Sequence, residues 1–308
     1  MQIEHILLFS IIPFLTIGFI FGERNPTASE KISTPLVKFG IPISVMGLLL
    51  KNGVDLNLLR SAIVTFLTIL FLIVIINLIP QLKKIFSSYT LQFSGLIGNT
   101  SFLGIPIAMA LLPPSTIDLT IGFDLGTTFF AWLFGPYLLQ NKKTKNNSFN
   151  VREILIGIIS SPASKGIIGV LITYQLGIET YLGKILWIPA IIIIFLAIIV
   201  VGTRLGIIMK KRENIIDFSG GLQYSVLLKL LIFPFIFFIL SMPLNFTKAE
   251  IAALILQAST PTAISTILMA ESYKINQDIA AKSVFVTTII SIFSIPVIRF
   301  FLFPNLTN

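Results

Sequence analysis

The sequence predicts an all-α integral membrane protein with ten transmembrane helices, arranged as two inverted repeats of five helices each. Three observations lead to this prediction: an apolar composition, ten long apolar runs, and two runs that small polar residues and a proline interrupt. Of the 308 residues, 55% are hydrophobic and 11% are charged, and the mean hydropathy is +0.95. Because soluble domains carry roughly 25% charged residues, this composition is typical of a membrane protein.

Each apolar run is long enough to cross a bilayer, which takes about 20 residues of helix. The first run, Ile6–Phe21, follows Glu4, lacks a small-residue cleavage motif and is followed by further runs, so we expect a retained span and not a signal peptide. The ten predicted spans are 4–22, 33–51, 60–82, 90–112, 118–140, 153–176, 184–209, 222–243, 248–271 and 277–303.

A polar stretch over 141–152 divides the chain into halves with five predicted spans each. Because five is an odd number, two such halves in tandem must cross the membrane in opposite orientations, which is the arrangement of many secondary transporters. We therefore expect a first inverted repeat over 1–140, a short linker over 141–152 and a second inverted repeat over 153–308.

The basic residues of the predicted loops lie mostly on the linker side of the membrane. The linker side holds twelve of them, and the opposite side holds five: Lys51, Arg60, Lys184, Lys248 and Arg299. By the positive-inside rule, the linker is predicted to be cytoplasmic and both termini outside, in a multi-pass protein of the cell (inner) membrane. The confinement of the basic residues to short loops argues against nucleic acid as a partner, despite the net charge of +9.

Two spans, the fourth of each half, are interrupted by small polar residues and a proline. The interruptions are Gly98–Pro106 and Gln257–Ser265. Pro106 and Pro261 each remove a backbone donor and clash with the preceding turn, so both helices should break there, with Gly98 and Gly104 shaping the first break. A matched pair of broken spans is typical of the substrate site of a secondary transporter.

Broken helices present half-helix ends to the membrane midplane. An N-terminal end carries unpaired N–H groups and about half a positive charge, which suits a carboxylate. Nearby hydroxyl and amide groups add hydrogen bonds without a fixed charge, although such groups also commonly satisfy broken backbone or hold helices together. The predicted substrate-binding residues are Asn99, Thr100, Ser101, Thr260, Pro261, Thr262 and Ser265.

Ionisable residues inside spans are a second indication of function, because each costs several kcal/mol unless it is paired or hydrated. Asp124 and Glu271 are candidates to take up a coupling proton, and Lys38 is a candidate to pair with an acid or attract an anion. Four further basic residues lie nearer the span boundaries and are expected to extend toward the headgroups: Lys165, Arg204, Lys229 and Lys282.

Several classes of chemistry lack their residues. There is no cysteine, the only histidine is His5, and no G-x-x-x-x-G-K-[ST] loop occurs. We therefore expect no catalytic residues, no metal site, no cofactor and no ATPase within this chain. An intramembrane enzyme would need paired catalytic groups at depth, and a purely structural or receptor role would not require two matched helix breaks.

The residues Gly98, Asn99, Phe102, Gly104 and Pro106 resemble the G-N-x-x-F-x-G-x-P signature of the auxin efflux carrier family, which includes bacterial malate-permease-like proteins. Further stretches are similar to that family: Gln257–Tyr273 with its Ala-Glu-Ser-Tyr end, Ser160-Ser161-Pro162, and the span that contains Pro42. One departure is Ser265, where family members often carry asparagine.

The resemblance implies a ten-helix fold like that of NhaA and the bile-acid symporters, with crossed broken helices 4 and 9. It also implies a scaffold domain and a transport domain, each assembled from both repeats, and it implies a homodimer. The expected function is secondary transport or uniport of small organic anions, auxin- or malate-like carboxylates, with proton or sodium coupling left open. The alternative is a sodium-coupled symporter of the bile-acid type.

Overall fold

The computed structural model describes residues 3–139, 151–211, 215 and 218–302, and this part of the chain is helical, with a single isolated β-bridge. In chain order the helices are α1 Ile3–Arg24, α2 Pro26–Pro35, α3 Ile41–Asn52, α4 Leu56–Leu78, α5 Pro80–Ile85, α6 Tyr89–Leu96, α7 Ile105–Leu111, α8 Ile117–Leu139, α9 Val151–Ser160, α10 Pro162–Gln175, α11 Glu179–Lys211, α12 Leu222–Leu227, α13 Phe233–Ser241, α14 Lys248–Ala258, α15 Ile264–Ser272 and α16 Gln277–Leu302.

Six helical stretches are long and apolar enough to cross a membrane: Pro26–Asn52, Leu56–Leu78, Pro114–Gly135, Glu179–Lys211, Leu222–Leu244 and Gln277–Phe300. Many large apolar side chains point outward, and Leu231, Phe235 and Phe293 are each at least 60% exposed, as a lipid-facing surface requires. The prediction of an all-α, multi-pass membrane protein is therefore confirmed, and the count of ten inverted spans stays a prediction. The predicted linker lies outside the described residues apart from 151 and 152, as do the chain ends beyond 3 and 302.

Three π-helical turns interrupt the helices, and each ends two residues before a proline. They are Leu36–Gly40 before Pro42, Thr100–Gly104 before Pro106, and Leu228–Ile232 before Pro234. A proline ring clashes with the carbonyl four residues earlier, and the wider i→i+5 turn relieves that clash. The π turns accommodate these three prolines, and Lys38, Thr100 and Lys229 all lie in these turns.

Closely packed glycines join the helices in pairs. A Cβ atom added to Gly18 or Gly22 of α1 would lie 2.1 Å from a carbonyl oxygen of α11, and one added to Gly202 or Gly206 of α11 would lie 2.1 Å from a carbonyl oxygen of α1. The spacing of four residues is the small-xxx-small pattern of membrane helix pairs. A third such pattern, Gly122-x-x-x-Gly126, brings α8 equally close to α4.

The helices form two packing groups. In the first group, α1, α3, α10 and α11 contact one another; in the second, α4, α6, α8 and α12–α16 do. Each group contains helices from both halves of the chain. The two interrupted spans are α6–α7 and α14–α15. In the second group α6 contacts α16 and α14 contacts α8, whereas α7 contacts α1 of the first group as well as α8.

Candidate functional site

The two helix breaks pair with each other through their backbones. The amide of Asn99 donates to the carbonyl of Pro261 at 2.7 Å, and the amide of Ala263 donates to the carbonyl of Ile97 at 2.9 Å. Gly98 and Thr262 form the antiparallel bridge between these bonds. Each break therefore satisfies the backbone groups that the other exposes, which is the condition for irregular backbone at membrane depth.

Side-chain hydrogen bonds and close packing between the two breaks stabilise this crossover. The Thr262 hydroxyl donates to the Ser94 carbonyl at 2.6 Å, and the Thr260 hydroxyl donates to the Gln257 carbonyl at 2.7 Å. A Cβ atom at Gly98 would lie 2.5 Å from Thr260 Oγ1, and one at Gly104 would lie 2.2 Å from Gln257 Oε1. A Cβ atom at either glycine would therefore displace a side chain of the second break, so both glycines allow the two segments to approach closely.

A cavity of about 500 Å³ adjoins the crossover and lies between the two packing groups. Of the predicted site residues, Gly98, Asn99, Thr100, Ser101, Asp124, Lys38 and Ser265 line it. The fully buried Thr260, Pro261 and Thr262 do not line it and lie in the paired crossover instead, together with Gly104 and Pro106 behind the cavity wall. Glu271 lines a separate cavity of about 120 Å³.

The N-terminal ends of two half-helices face the cavity. The turn that leads into α7 starts at Thr100 after Asn99, and α15 starts at Ile264 after Ala263; neither preceding residue makes a side-chain capping hydrogen bond. By contrast, α14 starts with a complete capping box of Thr247 and Glu250. At α15 this leaves backbone N–H groups and partial positive charge toward the cavity, whereas the Ser101 amide at the first end has the Asp124 carboxylate as its acceptor.

Asn99 carries an unpaired donor at this point. Its side chain is 3% exposed, and among the described residues Nδ2 has no hydrogen-bond partner. A buried amide nitrogen without an acceptor destabilises the protein. A ligand whose oxygen accepts a hydrogen bond from Nδ2 would therefore bind more tightly.

Charged side chains line opposite walls of the cavity. Asp124, 3% exposed, belongs to α8 in the second group; it accepts a hydrogen bond from the Thr100 hydroxyl and has Ser101 as a further polar neighbour. Lys38 and Arg204 line the wall formed by the first group. One carboxylate therefore lies by the half-helix end at Thr100, and two basic residues line the same cavity on the other packing group.

Lys229 is the functional candidate that sequence reasoning misplaced. The prediction that it extends to the headgroups was wrong: its side chain is fully buried, and Nζ donates to the Ala258 carbonyl at 2.8 Å and lies 4.5 Å from the Phe233 ring centre. It therefore compensates the negative C-terminal end of α14. Lys229 lies five residues before Pro234, in a π turn, and this proximity to the proline is the sequence feature that could have indicated a buried position.

Arg204 and Lys282 also depart from the expected headgroup position. Arg204 lines the cavity, and Lys282 is 8% exposed with Nζ 2.8 Å from Asp278 Oδ2. Among the described residues there is no group of three or more His, Cys, Asp or Glu side chains that could hold a metal ion.

Comparisons with known proteins agree with these observations. Residues 193–299 match the family described as membrane transport protein. The chain is also 25% identical over 289 residues to an uncharacterized transporter of Methanocaldococcus jannaschii, covering 89% of each protein. The two findings confirm the resemblance that the crossover sequences predicted.

Proposed function

We propose that the chain, a membrane transporter that resembles the auxin efflux carrier family, carries small organic anions across the membrane by alternating access at the helix crossover. One observation supports this most directly: the uncapped N-terminal end of α15 and Asn99, whose side-chain amide nitrogen has no partner among the described residues, lie at a single cavity beside the crossover. Donors and partial positive charge without an acceptor partner suit a carboxylate.

The two walls of the cavity support the proposed movement. The first packing group would be the scaffold domain and the second the transport domain, each assembled from repeats 1–140 and 153–308. The glycine contacts between α1 and α11 make the first group rigid, and the crossover belongs to the second group. Movement of the second group would therefore carry the bound anion past a fixed wall.

The cavity extends toward the side predicted to be cytoplasmic. Trp132 of α8, Ser161 before α10 and Leu268 of α15 line it, and all three lie between the crossover and the loops rich in basic residues. We infer that this structure is the inward-facing state, in which the anion enters or leaves on the cytoplasmic side.

The membrane potential favours efflux of such an anion. Moving one charge is worth about 2.3 kcal/mol per 100 mV, so a monoanion leaves a negative-inside cell without any coupling ion. Uptake would need a coupling ion, and the buried Asp124 carboxyl in the cavity is the candidate proton carrier. Glu271, in the smaller cavity, is the second candidate.

A sodium-coupled symporter of the bile-acid type is the second candidate function. The fully buried Gln257 favours it, because neither Oε1 nor Nε2 has a partner among the described residues and Oε1 is an available oxygen ligand. Against it, the Lys229 ammonium already places a positive charge at the C-terminal end of α14. We therefore rank uniport or proton coupling ahead of sodium coupling.

Transport in proteoliposomes tests both candidates. We would load a panel of acetate, lactate, malate, succinate and indole-3-acetate under imposed voltage, pH or sodium gradients. Wild-type protein should move at least one anion with voltage or pH, Asn99→Ala should abolish most of that flux, and the exposed Asn52→Ala should retain it. Flux that follows sodium and ignores voltage and pH would favour the symporter, and an inactive wild type across the panel would contradict the proposed substrate class.

The assembly is proposed from the resemblance alone. We propose a homodimer in the cell (inner) membrane with the linker on the cytoplasmic side and both termini outside. Cross-linking in native membranes and labelling of cysteines introduced at Lys51 and Lys83, on opposite predicted sides, would test these statements.

A further inference from the structure

Two G-x-x-x-G sequences of this chain have a charged residue at their centre. Asp124 lies between Gly122 and Gly126 on α8, and Arg204 lies between Gly202 and Gly206 on α11. In each case the glycines touch the backbone of a neighbouring helix. The central residue, two positions along, points about 200° away around the helix and so faces the opposite direction. Because the glycines of α11 pack against α1, Arg204 lies on the other side of α11, where it lines the cavity.

Arg204 is at the same time loosely paired. Its Nη1 lies 3.8 Å from Glu30 Oε1, and the side chains are 23% and 44% exposed. Glu30 has a second cation, because Lys211 Nζ lies 3.5 Å from the same oxygen. Arg204 lines both the main cavity and the smaller one, whereas Glu30 and Lys211 line only the smaller one.

We propose that Arg204 is shared between Glu30 and the transported anion: it pairs with Glu30 when the cavity is empty and with the anion's carboxylate when the cavity is loaded. This proposal rests on the anion transport proposed above and names the residue of the scaffold wall that binds the carboxylate. A long, half-exposed ion pair is exchanged at small cost, and a guanidinium in a cavity makes bidentate bonds to a carboxylate.

Lys211 makes the exchange possible. When Arg204 turns to the anion, Glu30 keeps Lys211 as its partner, so no carboxylate is left without a countercharge. Lys211 lines only the smaller cavity. Glu30 therefore competes with the anion for Arg204, and Lys211 weakens that competition.

The test is the KM for the panel anion that the wild type transports fastest. Glu30→Gln should lower KM about two- to fivefold, and Lys211→Gln should raise it by a similar factor, as expected for exchange of a weak ion pair. Arg204→Gln should raise KM more than tenfold, with Arg204→Lys intermediate.

Two control variants distinguish the specific effect of Glu30 and Lys211 on KM from a general effect of surface charge. Glu23→Gln and Lys210→Gln make the same charge changes at exposed residues near the ends of α1 and α11, outside both cavities, and should leave KM within twofold of wild type. In the Arg204→Gln background, neither Glu30→Gln nor Lys211→Gln should change KM further.

Two outcomes would overturn the proposal: persistence of either effect in the Arg204→Gln background, or an unchanged KM in both single variants. These KM values can be measured only if the wild type transports an anion. A failure of this proposal is therefore distinct from a failure of the proposed function. Since Glu30 and Lys211 are half-exposed, their variants test it even where Arg204→Gln does not fold.

Discussion

Replacing Asn99 by alanine should weaken anion binding without weakening the fold. In the structure, Asn99 Nδ2 is buried in the cavity wall and has no partner among the described residues, so the empty protein gains nothing from it. A hydrogen bond to a charged acceptor contributes about 1.5–3 kcal/mol. Asn99→Ala should therefore raise the Kd for the anion by about 10- to 150-fold, at 1.4 kcal/mol for each factor of ten.

The same argument fixes the sign of the stability change. Leaving a buried donor unpaired costs about 1–3 kcal/mol, so its removal should leave the Tm of the unliganded protein unchanged or raise it. Higher stability with lower binding is the pattern of a residue retained for function.

Thr262→Val is the matched control, because Thr262 is equally buried but lies in the crossover and donates to Ser94. It should lower Tm and leave Kd nearly unchanged. Calorimetry gives Kd, and thermal unfolding in detergent, with and without anion, gives Tm. An Asn99→Ala protein that binds the anion as tightly as wild type would refute the assignment of Asn99, and a fall in its Tm would show that Nδ2 is structurally engaged.

Four further variants separate the roles of groups at the crossover. Asp124→Asn should abolish any dependence of flux on an imposed pH gradient while the anion still binds; a flux that follows pH as before would exclude Asp124 as the proton carrier. Lys229→Met should keep or raise Tm, because a packed apolar side chain replaces a buried charge, yet slow transport at least tenfold in the flux assay. Gly104→Ala should destabilise the fold by about 1–3 kcal/mol in denaturant unfolding, since its Cβ would lie 2.2 Å from Gln257 Oε1. Ser265→Asp should abolish anion binding in calorimetry while stabilising α15 by about 0.3–1 kcal/mol through its N-terminal charge.

The features of the fold that depend on local sequence could be predicted. Apolar runs locate the helices, and prolines locate the breaks at Pro106 and Pro261. The pairing of Asn99 with Pro261, and of Ile97 with Ala263, could not be predicted, because it depends on two segments more than 150 residues apart meeting in antiparallel register. The π turns precede Pro42, Pro106 and Pro234, but Pro13, Pro189 and Pro296 lie inside α-helices without such a turn, so the prolines alone do not predict them.

The candidate site shows the same limit at the level of side chains. Thr100 and Thr262 belong to breaks of similar composition, but Thr100 faces the cavity and Thr262 the interior. Composition cannot separate the two, because Thr100 begins a π-helical turn whereas Thr262 forms the isolated bridge with Gly98, and that bridge depends on the distant segment. Lys229 illustrates the converse: its distance from the span centre suggested a headgroup position, but the second broken helix provides an acceptor at depth.

The charges at the crossover also bear on where the proposed anion would bind. Lys229 compensates the C-terminal end of α14, and Asp124 lies by the N-terminal end at Thr100, so both of these ends have a fixed countercharge. The N-terminal end of α15 has none: Ala263 cannot cap it, and Ser265 is exposed to the cavity. A partial positive charge in a cavity without a fixed partner is a binding site for a charge that can leave. The anion is therefore expected at α15, between Ser265 and Asn99, where a permanent carboxylate at position 265 would take its place.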